Sequence, residues 1–157
     1  MTVFEKIIQS FDEQGIKYES LEHEPVYTSA DAAKIRDTKL SDGAKALVFL
    51  ADKNPILVVL PGDKKVDTTS FKKLFGISDL AMATKEQVKE ITGLEVGAIP
   101  PVGSVMGLKV YFDDEFKSKD IVSFNAGSHS KSIRIQASEL IKVENPIFYG
   151  QKSNLDL

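Results

Sequence analysis

A chain of 157 residues with 42% hydrophobic and 27% charged residues is long enough to close one core and too apolar to stay disordered. It holds no cysteine and 2 histidines, His23 and His129, which excludes a disulfide scaffold, a thiolate metal site, a cysteine nucleophile and a histidine-rich metal centre. A formal net charge of −3 argues against a protein that coats DNA by bulk charge.

Thr2 and Glu5 stand at capping-box spacing, and Phe4, Ile7, Ile8 and Phe11 recur at helical intervals, so the chain opens with a helix that Gly15 ends. Tyr18 to His23 reads as a short strand broken by Pro25, and Ser29 is placed to cap a second helix through Ala30, Ala32, Ala33 and Ile35. Two β-rich segments follow, Ala44–Leu50 and Ile56–Leu60, with Asp52-Lys53-Asn54-Pro55 as hairpin turn. Asp67 caps a helix carrying Phe71, Leu74 and Phe75 that Gly76 ends, and Thr84 with Gln87 opens another that Gly93 ends. Val96-Gly97-Ala98-Ile99-Pro100-Pro101-Val102-Gly103 is too rich in proline and glycine for regular structure. Strands over Leu108–Phe112, Ile121–Asn125 and Ser132–Ile135, a helix from Ser138 and a frayed tail over Gln151–Leu157 complete the pattern. The expectation is one α+β (mixed α/β) domain spanning residues 1–157, with a central sheet flanked by helices.

No run of apolar residues approaches the roughly 18–20 that cross a bilayer, and MTVFEKIIQSFDEQ does not read as an export signal. A cytoplasmic protein with no membrane partner is expected.

Several features could carry chemistry. Lys45 interrupts the otherwise apolar strand GAKALVFL, so it either reaches solvent at an edge or faces an anion in a cleft. In VGAIPPVG the glycines permit close backbone approach and the prolines hold the loop still, which suits a backbone cradle for an oxyanion or phosphate; it equally suits a rigid connection. Phe124-Asn125-Ala126-Gly127-Ser128-His129-Ser130 is a strand entering a small polar turn, and an exposed His129 could move a proton or position water. His23 reads as structural or as a pocket wall. Lys45, Lys53, Lys64, Lys65, Lys72 and Lys73 face only Asp52, Asp63 and Asp67 over residues 43–75, a local basic excess that is either a solvated face or an RNA contact. Hydrolase triads, His-Glu-x-x-His, Walker loops and the dinucleotide fingerprint are all missing.

Taken in order, HEPVYTSADAA, GAKALVF, VLPGDKKVD, the GAIPP loop and VSFNAGSHSKSIRI resemble the YbaK/ProX family of aminoacyl-tRNA deacylases, whose domain is also inserted in some bacterial prolyl-tRNA synthetases. The resemblance runs from about Phe4 to Leu140. It implies that family's fold, a mixed and partly barrel-like sheet, and a trans-editing hydrolase of mischarged tRNA, Cys- or Ala-tRNA-Pro, with prolyl-tRNA synthetase as a further partner. It implies no metal, no cofactor and no DNA.

By the same resemblance the family's strand lysine falls on Lys45 and its G-x-x-x-P loop on Gly97, Ala98, Ile99, Pro100 and Pro101. The glycine turn falls on Ala126, Gly127 and Ser128, and a histidine of some branches on His129. Lys45 would hold the terminal phosphate or ribose, and loop N–H groups would stabilise the oxyanion. The adjacent ribose hydroxyl or His129 would assist water, and Lys64, Lys65, Lys72 and Lys73 would meet the tRNA. Ala46 replaces a polar residue frequent in the alanine-editing branch, and Leu21 replaces an aromatic of the cysteine-editing branch, so the amino acid stays open. The competing expectation is a non-catalytic small-molecule or nucleotide-binding module that retains the same pocket.

Overall fold

The computed structural model describes residues 1–150, so the expected frayed tail lies outside the described residues. Helix α1 (Val3–Glu13) starts at a complete capping box: Glu5 N–H donates to Thr2 Oγ1 and Thr2 N–H to Glu5 Oε1, each at 3.1 Å. After β1 (Tyr18–Glu22), helix α2 (Ser29–Arg36) is capped by Thr28 and not by Ser29. Thr28 is still extended and its Oγ1 accepts from Asp31 N–H at 3.0 Å, whereas Ser29 is already helical.

Strands β2 (Ala44–Ala51) and β3 (Asn54–Pro61) form the hairpin, but its turn is only Asp52-Lys53, and Asn54 and Pro55 already belong to β3. Both turn residues take positive φ, 48° and 73°, as a two-residue primed turn requires. Asp52 is held there by the N–H groups of Ser78 (3.3 Å) and Asp79 (2.8 Å), which donate to its carboxylate.

Helices α3 (Thr68–Phe75) and α4 (Lys85–Thr92) begin at Asp67 and Thr84 and end at left-handed Gly76 and Gly93, as their sequence predicts. Between them lies β4 (Leu80–Met82), and β5 (Lys109–Asp113), β6 (Ile121–Asn125) and β7 (Lys131–Gln136) follow. Helix α5 (Ala137–Glu144) starts one residue before Ser138, and β8 (Ile147–Tyr149) follows it.

The strands sort into two sheets rather than one. The larger has the order β4-β2-β3-β5-β8, antiparallel across β4-β2-β3 and parallel across β3-β5-β8. The smaller is antiparallel β1-β7-β6. One parallel bridge, Gly43 to Ser123, joins them, so a barrel-like closure is not confirmed beyond this contact. The mixed α+β class stands.

Strand β3 lies between β2 and β5 and is covered on both faces. Leu57 and Val59 join a large core with Phe112, Phe124, Ile133, Phe11 and Leu140, which fills the space between the sheets and under α1 and α5. Ile56 and Val58 join a smaller core with Phe49, Phe71, Tyr111 and Tyr149 beneath α3. This two-sided burial is why residues 56–60 read as an unbroken apolar run.

Gly103 is pressed into the large core. A Cβ there would overlap the Val110 side chain and stand 2.8 Å from the Leu108 carbonyl. Gly103→Ala is expected to destabilise the fold by roughly 1–3 kcal/mol, read as a lower urea midpoint with unchanged slope.

Candidate active site

The two sheets part at the end where Gly43 and Ser123 meet, and a cavity of about 130 Å³ opens there. Its walls come from one face of α2 along its length, the first residues of β2, Gly62 after β3, Val96, Gly97 and Ile99, and the end of β6. Four alanines, Ala32, Ala33, Ala44 and Ala46, form much of the apolar wall.

Lys45 reaches this cavity because of its place on the sheet. Ala44, Ala46 and Val48 join the large core, while Phe49, with Leu47 packed beside it, belongs to the smaller core under α3. Lys45 shares the Phe49 face by alternation but stands at the strand's other end and lines the cavity. Its Nζ donates to the Gly62 carbonyl at 3.4 Å, a long bond that leaves donors to spare. Burial pushes its pKa down, Asp63 opposes this and Lys65 adds to it. Among the described residues no carboxylate lies within ion-pair distance of Lys45. It is a half-buried cation without a fixed counter-ion.

The Gly97–Pro101 loop is held from behind. Gly97 adopts φ +89°, and its carbonyl accepts from Asn125 Nδ2 at 2.6 Å. The neighbouring Val96 carbonyl accepts from His129 Nε2 at 3.0 Å, and the Ala98 carbonyl accepts from Gly127 N–H at 2.9 Å. Ala98 N–H donates to Glu95 O at 3.0 Å, and Pro100 and Pro101 have no N–H. Among the described residues, the N–H groups of Gly97 and Ile99 have no acceptor, and both residues line the cavity. Of the five loop residues, Gly97 and Ile99 therefore combine an unbonded N–H with a place in the lining of the cavity. Ala98, Pro100 and Pro101 are buried and do not line it.

Ala126, Gly127, Ser128 and His129 also stand outside the cavity lining. Ala126 is fully buried in the core. A Cβ at Gly127, which has φ +85°, would stand 3.3 Å from Val3 Cβ and 3.4 Å from Phe4 N, and Ser128 Oγ bonds Ser130 Oγ at 3.0 Å. A carbonyl can only accept, so the His129 proton sits on Nε2 and is committed to Val96. The His129 ring packs on Tyr27 with centroids 4.6 Å apart. That geometry braces the loop.

Sequence reasoning overlooked Arg36 and Asn125, which line the cavity and bond each other through Arg36 Nη2 and Asn125 Oδ1. The available signal was the spacing of Ala32, Ala33 and Arg36, which puts the arginine on the helix face that is otherwise small and buried. His23 is structural: Nδ1 donates to the Glu24 carbonyl at 2.8 Å, so Nε2 accepts from the Ser132 hydroxyl at 2.7 Å.

The four lysines of the basic segment differ in their surroundings. Lys64 is engaged by Asp113 (3.8 Å) and Glu115 (3.5 Å). Lys65 is exposed and near enough to Lys45 to lower its pKa. Lys72 and Lys73 lie in the last turn of α3. Among the described residues no group of three or more His, Cys, Asp or Glu is arranged to hold a metal, and no helix is long and apolar enough to cross a membrane.

Comparison with known proteins gives a match to the aminoacyl-tRNA editing domain over residues 23–143. The multifunctional Ser/Thr-tRNA deacylase ProXp-y of Escherichia coli is 29% identical over 147 residues, which cover 90% of this chain and 88% of that protein. The prolyl-tRNA editing protein ProX of Acetoanaerobium sticklandii is 27% identical over 150 residues, 91% of each chain. A candidate trans-editing enzyme for prolyl-tRNA synthetase has the same fold, with a TM-score of 0.82 at 24% identity over 98% of this chain and 99% of its own.

Proposed function

The chain belongs to the aminoacyl-tRNA editing domain family, and we propose that it is a free-standing deacylase that removes a small amino acid from a mischarged tRNA. It is a hydrolase of aminoacyl-tRNA ester bonds. The observation that carries the substrate class is a cavity of about 130 Å³ lined by Lys45 and by two residues, Gly97 and Ile99, whose N–H groups have no acceptor among the described residues. A cavity of roughly 150 Å³ accommodates benzene, so the space suits a small acyl group while the rest of the tRNA stays outside. Cysteine, alanine, serine and threonine are the acyl groups of that size, on tRNA-Pro or on the tRNAs such a Ser/Thr deacylase serves. Action beside prolyl-tRNA synthetase in the cytoplasm follows from this reading.

An aminoacyl ester is already activated, so positioning and charge stabilisation suffice. Lys45 holds the phosphate or ribose of the terminal nucleotide as a compact cation. Gly97 and Ile99 N–H groups receive the carbonyl oxygen as water attacks and negative charge develops on it. The ester C–O bond then breaks towards the ribose oxygen, which takes the proton released by the water. The adjacent ribose hydroxyl orients that water, and His129 holds the loop that carries Gly97.

The test is a deacylation panel of tRNAs charged with cysteine, alanine, serine, threonine and proline. Hydrolysis of at least one small aminoacyl ester is expected, undiminished by a chelator because the described residues offer no ligand cluster. Binding without turnover on every ester would leave only a binding module, and activity lost in chelator and restored by zinc would overturn the metal-free chemistry.

The tRNA body meets the side of the cavity where Lys65 stands. Lys65→Glu is expected to weaken tRNA binding and to reduce the log-affinity versus log-salt slope by about 0.7–0.9 for each phosphate no longer neutralised. Lys64→Glu should change the slope less, because Lys64 is already shared by Asp113 and Glu115. Filter binding across a salt series reads both, and equal effects would refute the distinction.

A further inference from the structure

Arg36 ends helix α2, yet its side chain turns inward and the residue is 7% exposed. No ion pair among the described residues involves it. Removing a cation from water without a carboxylate is costly, and an apolar side chain of similar volume is often the more stable choice at such a place. Burial, with Arg134 adding repulsion, lowers its pKa to about 10, so it remains charged at neutral pH. The fold gains little from a buried charge with no carboxylate partner among the described residues, which points to a use elsewhere.

The donors of Arg36 lead to the reactive loop. Its Nε donates to Ser132 Oγ at 2.9 Å and its Nη2 donates to Asn125 Oδ1. Asn125 Nδ2 then donates to the Gly97 carbonyl at 2.6 Å. A guanidinium only donates and a carbonyl only accepts, so one orientation of the Asn125 amide satisfies both neighbours. The other end is equally determined. Ser132 receives Arg36 Nε–H and gives its own proton to His23, whose other nitrogen is fixed by the Glu24 carbonyl. The guanidinium is thereby clamped between β7 and β6, and polarisation along such a chain strengthens each bond.

We propose that Arg36 is a positioning residue for the hydrolytic reaction: it fixes the Asn125 amide, which holds the Gly97 carbonyl and so pins the Gly97–Ala98 peptide, the unit that lies between the two peptides bearing the Gly97 and Ile99 N–H groups and sets their relative orientation. The proposal rests on the deacylase reading above for its kinetic consequence, but its structural consequence can be measured without substrate.

In Arg36→Ala and Asn125→Ala, kcat is expected to fall by about 10²-fold, the scale of a small misplacement of reacting groups, with KM little changed. Because the two act in one relay, Arg36→Ala/Asn125→Ala should be no worse than either single variant. Added guanidinium should restore kcat to Arg36→Ala and fail to do so when Asn125 is also alanine. Arg36→Lys should not rescue, since an ammonium cannot span both acceptors as the planar fork does. Arg36→Met fills the space left by the side chain, and its thermal melt separates loss of the relay from loss of fold.

Without substrate, amide resonances of Gly97 and Ile99 should shift and exchange faster in Arg36→Met and Asn125→Ala. Unmoved resonances would overturn the proposal whatever the enzyme hydrolyses. So would additive losses, rescue that ignores Asn125, or a rise in KM at constant kcat, which would make Arg36 a direct substrate contact. If no ester is hydrolysed by the wild type but the resonances move as expected, the relay stands and the deacylase reading fails.

Discussion

Lys45→Ala is expected to lower turnover by about 10²–10³-fold, the cost of losing one preorganised group facing developing or fixed negative charge. The melting temperature should not fall with it. Nζ has one long hydrogen bond, to Gly62, and no ion pair among the described residues, so little native stability depends on the charge. Burial in fact opposes the protonated form in the folded state. A lysine pKa lowered by folding means that the unfolded chain binds more protons as pH rises towards the ordinary lysine value, so stability rises with pH there.

Lys45→Met keeps the packing and removes the charge. It should melt at or above the wild-type temperature at neutral pH, and the difference should narrow under alkaline conditions. Single-turnover deacylation and paired thermal melts at two pH values measure both halves. A rate within about threefold of wild type would identify Lys45 as a surface residue with no part in the reaction.

Gly97→Ala is expected to cost about as much activity for a different reason. A non-glycine residue at φ +89° carries roughly 1–3 kcal/mol of backbone strain. The new Cβ would also lie 3.3 Å from His129 Nε2 and 3.7 Å from Cδ2. The ring is tied to Val96 O and packed on Tyr27, so the loop gives way first. A fall in kcat of about 10²-fold is expected, because the two donors cannot both keep their direction. Removing the ring with Gly97→Ala/His129→Ala relieves the crowding but not the strain, and should recover only part of the rate. Full recovery would place the whole effect in the steric contact.

What could be read in the sequence was whatever is decided locally. Capping is such a case: Thr2 with Glu5, Asp67 and Thr84 with Gln87 all cap the helices their spacing indicates. Lys45 was legible because a cation in an apolar strand is an anomaly whatever surrounds it. Strands β4 and β8 were not, since each has three residues and forms only because β2 and β5 offer an unpaired edge. The division into two sheets has the same origin, being settled by which strands meet and not by how any one strand looks.

The loop illustrates the boundary between the two kinds of information. Glycine and proline announce an irregular, rigid segment at residues 96–103. Which of its N–H groups remain unspent depends on Glu95, whose carbonyl takes the Ala98 N–H, and the segment's carbonyls are held by donors from Asn125, Gly127 and His129. Arg36 is the extreme case. As the last residue of a helix it looks like an ordinary cation favoured by the helix dipole, and its meaning lies in a partner 89 positions away.

The alanine wall has a consequence for how selectivity could change over generations. Ala32, Ala33, Ala44 and Ala46 have no side-chain rotamers, so the cavity cannot yield to a bulkier guest by rearranging them. On that side the cavity has a wall of fixed shape. Exchanging one alanine for serine or valine alters the wall by a single group at a known point, while Lys45, Gly97 and Ile99 stay where they are. A methylene is worth about 1–3 kcal/mol in such a recess. Lineages carrying this scaffold could thus pass from one small acyl group to another through individual replacements in this wall, with Lys45, Gly97 and Ile99 unchanged.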